Sequence, residues 1–179
     1  MANGTLKVGT ITTSSGSGNI TIGSGVTVNV NRPAFEAIMS SDQSISDDST
    51  TKITFNSEVF DTDDAYDPST NYRFTIPTGG AGKYNVYLNV GLKSGSNANF
   101  YYGAAYLYKN GSAVRMHWID TRTNYGREYT AVIQTSLDLS EGDYLEAYGY
   151  VDVGSSTPTI ENAKGSTSLS VFGAYKVGA

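Results

Sequence analysis

Cysteine is absent from this chain, and histidine occurs once, as His117. Disulfides, thiolate metal centres and thiol catalysis are thereby excluded. Proline is scarce, with 4 residues, and only 16% of the chain is charged. No stretch approaches the roughly 18 consecutive apolar residues of a membrane span, so no membrane insertion is expected. No window repeats apolar residues at helical spacing, so helices should be short or missing. Residues 1–31 contain no acid, a single charge at Lys7, and no apolar run like a signal-peptide core. An acidic pI of about 4.7 argues against a nucleic-acid partner.

What is present points to β-structure. The 179 residues include 20 Gly and 14 Tyr. That length suits one compact domain with an appendage. The formal net charge of -5 is unevenly spread. Residues 1–35 carry +2, residues 36–67 carry -8, and residues 68–179 carry +1. The densest acidic stretch runs from Asp61 through Asp63 and Asp64 to Asp67.

The first 31 residues show short alternations, Leu6/Val8, Ile20/Ile22 and Val26/Val28/Val30, broken by Gly16-Ser17-Gly18 and Gly23-Ser24-Gly25. Period-2 patterning gives an extended strand one apolar face. Each piece is too short to bury itself, so residues 1–32 read as an arm that orders on a partner. The chain changes character at Arg32-Pro33. Strand signals then follow at Tyr72–Ile76, Lys83–Val90, Phe100–Tyr108, Ala113–Ile119, Glu128–Leu139, Tyr144–Val151 and Ser168–Val177. Asn110-Gly111 is the strongest hairpin turn. Many short strands separated by turns indicate an all-β sandwich or barrel.

The order of landmarks resembles the C1q-like domain of the C1q/tumour-necrosis-factor superfamily. Pro33-Ala34-Phe35-Glu36-Ala37 matches its opening strand. Tyr66-Asp67, Thr70-Asn71, Phe74 and Pro77 follow its next segment, with Asn71 in place of glycine. Gly82-Lys83-Tyr84, Leu107 with Asn110-Gly111, Leu139 with Gly142-Asp143, and Phe172-Gly173 complete the series. The resemblance covers residues 33–179. It implies a two-sheet jelly-roll head of about ten strands that forms a homotrimer. It also implies aromatic packing along the threefold axis, for which Tyr102, Tyr106, Tyr148 and Phe172 are the candidates. The arm from Gly4 to Ile22 resembles N-terminal segments of phage tail-fibre and appendage proteins. That likeness implies a virion structural protein at the virion surface, on a tail appendage or the capsid exterior. Residues 1–31 would attach to other virion proteins. The head would bind a host surface glycan or protein, or decorate the capsid. The alternative is a secreted C1q-like lectin or adhesion module of a cell.

Catalysis is not expected. A serine triad would have to recruit His117 from a hairpin strand. Ser49-Thr50-Thr51-Lys52 lacks companion motifs, and no nucleophile elbow or phosphate loop occurs. Asp61, Asp63, Asp64 and Asp67 form the candidate Ca²⁺ loop, because Ca²⁺ takes 6–8 oxygen ligands. No EF-hand Gly and distal Glu accompany them, and a solvated acidic loop is the plainer reading. No cofactor is required. Tyr101, Tyr102, Tyr106 and Tyr108 could offer rings to a sugar, but alternation implies that some of them face the core or the axis. Arg122, Asn124, Tyr125 and Arg127 compose a candidate recognition loop.

Overall fold

A computed structural model of the protein describes Ser24, residues 32–95 and residues 100–178. The alternating segments of the arm therefore lie outside the described residues. Fifteen strands are present among the described residues. The first six are β1 (Ala34–Ile38), β2 (Gln43–Ser44), β3 (Thr51–Lys52), β4 (Ser57–Asp61), β5 (Tyr66–Asp67) and β6 (Arg73–Thr75). The long strands follow: β7 (Gly82–Lys93), β8 (Phe100–Lys109), β9 (Ser112–Asp120), β10 (Glu128–Leu139) and β11 (Tyr144–Val153). The chain closes with β12 (Thr159–Glu161), β13 (Ala163–Lys164), β14 (Thr167–Ser168) and β15 (Val171–Gly178). Ten of these exceed two residues, as expected for the strand count.

Seven strands form one antiparallel sheet in the order β2-β12-β7-β15-β1-β4, with β10 on the other side of β7. Six form a second, β5-β6-β11-β8-β9, with β3 also paired to β11. The inner faces meet in a single core. Alternation explains which residues enter it. On β7, Tyr84, Val86, Leu88, Val90 and Leu92 are fully buried, while the intervening residues face outward. On β11, Leu145, Ala147, Val151 and Val153 do the same. Aromatics fill one part of the core: the Phe35 ring stacks 4.7 Å from Tyr66 and 4.5 Å from Phe74.

The β8–β9 hairpin turns at Asn110-Gly111, where both residues have positive φ, 52° and 77°. That geometry matches the right-handed twist of paired strands, and glycine adopts it without a Cβ clash. The last strand starts later than expected, at Val171. Thr167-Ser168 instead pair with Ala163-Lys164, and the backbone N–H groups of Leu169 and Ser170 bond to the Asn162 carbonyl.

Candidate functional site

The outer face of the six-stranded sheet is aromatic. Its rows follow from register. Tyr106 of β8 lies opposite Tyr148 of β11 and Met116 of β9. Ala104 lies opposite Tyr150 and Trp118, and Tyr102 opposite Asp152 and Asp120. Ala104 is too small to fill its row, and it is fully buried where Trp118 and Tyr150 stack, 5.5 Å apart and inclined by 24°. Tyr102 lies 5.4 Å from Trp118, and Tyr108 4.2 Å from Tyr148. Trp118 remains 42% exposed and Met116 55%.

A β-bulge decides this composition. Counted directly from the Asn110-Gly111 turn, Arg115 and His117 would face Tyr106 and Ala104. The register slips between Leu107 and Tyr108, so Met116 and Trp118 take those places instead. His117 is thereby turned toward β10, where its Nδ1 accepts the Val132 N–H at 2.9 Å. Arg115 donates from Nε to Thr135 Oγ1 at 3.0 Å. Both groups tie the edge of one sheet to the edge of the other.

Polar groups border the rings. The Arg122 guanidinium sits 4.4 Å from the Tyr102 ring centre and donates to both oxygens of Asp120, at 3.1 and 2.9 Å. The Tyr150 hydroxyl donates to Asp48 Oδ1 at 2.6 Å. Burial, then the Asp48 carboxylate, push that phenol well above its ordinary pKa. Lys52 pairs with the buried Glu146 and lies 5.7 Å from the Tyr148 ring. Burial works against the Lys52 charge, but the hydrogen bond and charge of Glu146 outweigh it and raise its pKa.

The 120–127 loop is anchored by backbone bonds, from Thr121 N–H to the Tyr101 carbonyl and from Asn124 N–H to the Thr121 carbonyl. Arg122 reaches the aromatic face. Tyr125 packs 5.2 Å from Tyr101, and Asn124 and Arg127 are exposed. The structure therefore brings one of the four candidate loop residues to the rings.

The acidic loop is held by its own backbone. Asp61 accepts from the N–H groups of Asp63 at 3.1 Å and Tyr66 at 2.7 Å. Asp67 accepts from the N–H groups of Ser69, Thr70 and Asn71 at 2.9–3.0 Å and from the Asn71 amide at 2.8 Å. Asp63, Asp64, Asp67, Asn71 and Arg73 line a hollow of about 320 Å³. Among the described residues, no three His, Asp or Glu side chains are grouped as a metal ion would need.

No protein-family model matches the sequence, and no curated protein matches it. Solved structures do. Murine APRIL at pH 5.0 aligns with a TM-score of 0.56 at 10% identity, over 82% of this chain and 100% of that one. The globular domain of zebrafish complement 1qA protein aligns with a TM-score of 0.56 at 14% identity, over 81% and 97%. Eiger TNF from S. frugiperda gives 0.54 at 10% identity, over 82% and 91%. The fold is the C1q/TNF jelly roll. At such identities the likeness speaks for the fold alone.

Within this jelly roll one sequence expectation needs correction. Phe172 has no subunit-facing surface: it is fully buried in its own chain, 5.0 Å from Phe35 and 5.7 Å from Phe55. Of the two places expected for the β8 tyrosines, core or axis, the core is closed to Tyr102, Tyr106 and Tyr108, which are half-buried on the outer face. The inner positions of β8 belong to Gly103, Ala105 and Leu107, and at Gly103 a Cβ would meet the Phe100 ring of the same strand and Leu92 of the opposite sheet. Sequence reasoning overlooked Trp118, Tyr150 and Asp48. The signal for Trp118 was its place on the returning hairpin strand, but the bulge that turns it outward leaves no mark in the local sequence.

Proposed function

We propose that the protein is a non-enzymatic, homotrimeric phage virion surface protein. Residues 1–32 attach it to other virion proteins, and the jelly-roll head, residues 33–179, is displayed outward to hold a host surface. The arm's likeness to phage appendage segments supports the virion placement. The observation that carries the trimeric head is the outer face of the seven-stranded sheet. Phe60, Val132, Tyr175 and Val177 are each 45–49% exposed on its strands. On the same sheet Tyr175 lies opposite half-buried Asn85, whose Oδ1 is buried without a hydrogen-bond partner. Apolar side chains gathered on one sheet face, with a buried acceptor among them, suit a surface that a second copy covers. In this reading Tyr102, Tyr106 and Tyr148 lie away from subunit packing and stay available to a ligand. Three heads on one axis raise the effective concentration of each for a multivalent surface.

Sedimentation of the purified chain should give a mass near three times 19.1 kDa. Val132→Asp should shift it toward the monomer, since it would bury an unpaired charge between copies. A wild-type monomer sinks the trimeric reading. Cryo-EM of the intact particle tests the virion placement, and density confined to a capsid lattice would replace host attachment with decoration.

A further inference from the structure

We propose that the strip formed by Tyr102, Trp118 and Tyr150 binds a neutral oligosaccharide. The inference rests on the outward-facing head proposed above and names its ligand class.

A sugar ring has an apolar C–H face and a rim of hydroxyls, so its site needs aromatic faces beside fixed polar groups. Both are present. The three rings run in series, at 5.4 and 5.5 Å between centres. At the Tyr102 end, Asp120 and Arg122 are already bonded to each other and offer acceptors and donors. At the Tyr150 end stands Asp48. Tyr106, Met116 and Arg115 extend the strip into a depression of about 280 Å³. The ring-bearing residues sit on strands whose register runs continuously from Tyr102 to Tyr106, so little ordering is left to occur on binding.

Charge selects the occupant. Arg122 is matched by Asp120 and Lys52 by Glu146, and Asp48 and Asp152 outnumber the remaining cation, Arg115. The face thus has no surplus of positive charge for phosphate, sulfate or uronate groups, which argues against nucleic acid and anionic glycans. A protein partner would have to strip water from the Arg122–Asp120 pair, at a cost in desolvation. A sugar keeps that pair solvated through its own hydroxyls.

Trp118 is the single tryptophan of the chain, so its fluorescence reports on this face directly. The full chain is titrated with maltohexaose, cellohexaose and chitohexaose, and with heparin-derived and alginate hexasaccharides. At least one neutral hexasaccharide should change the emission saturably, with an affinity that high salt leaves unchanged. Trp118→Ala and Tyr102→Ala should each weaken that binding about tenfold by calorimetry. Trp118→Phe should retain most of it. Thermal melts confirm that the variants fold, which the exposure of Trp118 favours. No response to any neutral probe, binding by anionic probes alone, or wild-type affinity in Trp118→Ala would each overturn the proposal. A trimer that ignores the neutral sugars defeats this inference and leaves the trimeric head standing; a monomer that binds them does the reverse.

Discussion

Asp67 accepts backbone N–H groups from Thr70, Ser69 and Asn71, and these bonds hold its carboxyl well below the usual carboxylate range. In the unfolded chain the group returns to about 3.9. A carboxylate whose pKa is lowered by folding contributes stability above its unfolded value, and loses it as pH falls through the folded one. Asp67→Ala should therefore cost about 1–3 kcal/mol at neutral pH, with the gap closing in strong acid. Asp143 behaves alike. The Lys109 ammonium, then Asn110 and the Ser140 N–H, outweigh partial burial and lower it to about 2. Urea titrations of the wild type should show stability flat down to about pH 4.5 and falling below it. A wild type and Asp67→Ala that differ equally at every pH would refute this account. The same satisfied loop predicts that EDTA leaves the melting temperature unchanged, because the Asp61 and Asp67 oxygens already have donors. At Phe172 the issue is volume. Its ring fills the space between Phe35 and Phe55, so Phe172→Ala should lower stability by about 3–5 kcal/mol in denaturant.

At the scale of elements, β8 shows how packing across the sandwich sets side-chain size. A Cβ on Gly103 would meet the Phe100 ring and come within 2.9 Å of Leu92 Cδ1. Both neighbours are fully buried and have no free space to move into. Gly103→Ala should thus cost about 1–3 kcal/mol by overpacking. Leu92→Val in the same chain should recover part of that loss, and strictly additive costs would argue that the strain lies elsewhere. The strand order and turns were largely legible in sequence. Glu128–Leu139 emerges with its expected limits, and Asn110-Gly111 makes the expected hairpin. The β8–β9 bulge was not legible, because a one-residue slip leaves the alternation of each strand intact.

At the scale of the molecule, the two outer sheet faces differ in chemistry. The seven-stranded sheet exposes aliphatic and aromatic groups, Phe60, Val132, Tyr175 and Val177. The six-stranded sheet exposes rings bordered by ion pairs. If copies associate through the first, Val132→Asp abolishes the trimer while the Trp118 emission of the second is preserved. Loss of both together would mean that the aromatic face is itself the contact between copies.

The sequence by itself determined an all-β sandwich or barrel, since period-2 apolar patterning allows one buried face per strand and no helical stripe competes with it. It also determined the chemical inventory: no thiol, one imidazole, and an acidic excess confined to residues 36–67. Only the tertiary structure decided which side of each strand faces inward. On β8 both sides are apolar enough to bury, and the inner side goes to Gly103, Ala105 and Leu107, with Phe100 and Leu92 closing the space at Gly103. The tyrosines are therefore outside. It also decided, through one bulge, that Trp118 rather than His117 joins them. Alternation records that neighbours point in opposite directions; the packing of the core determines which direction is in.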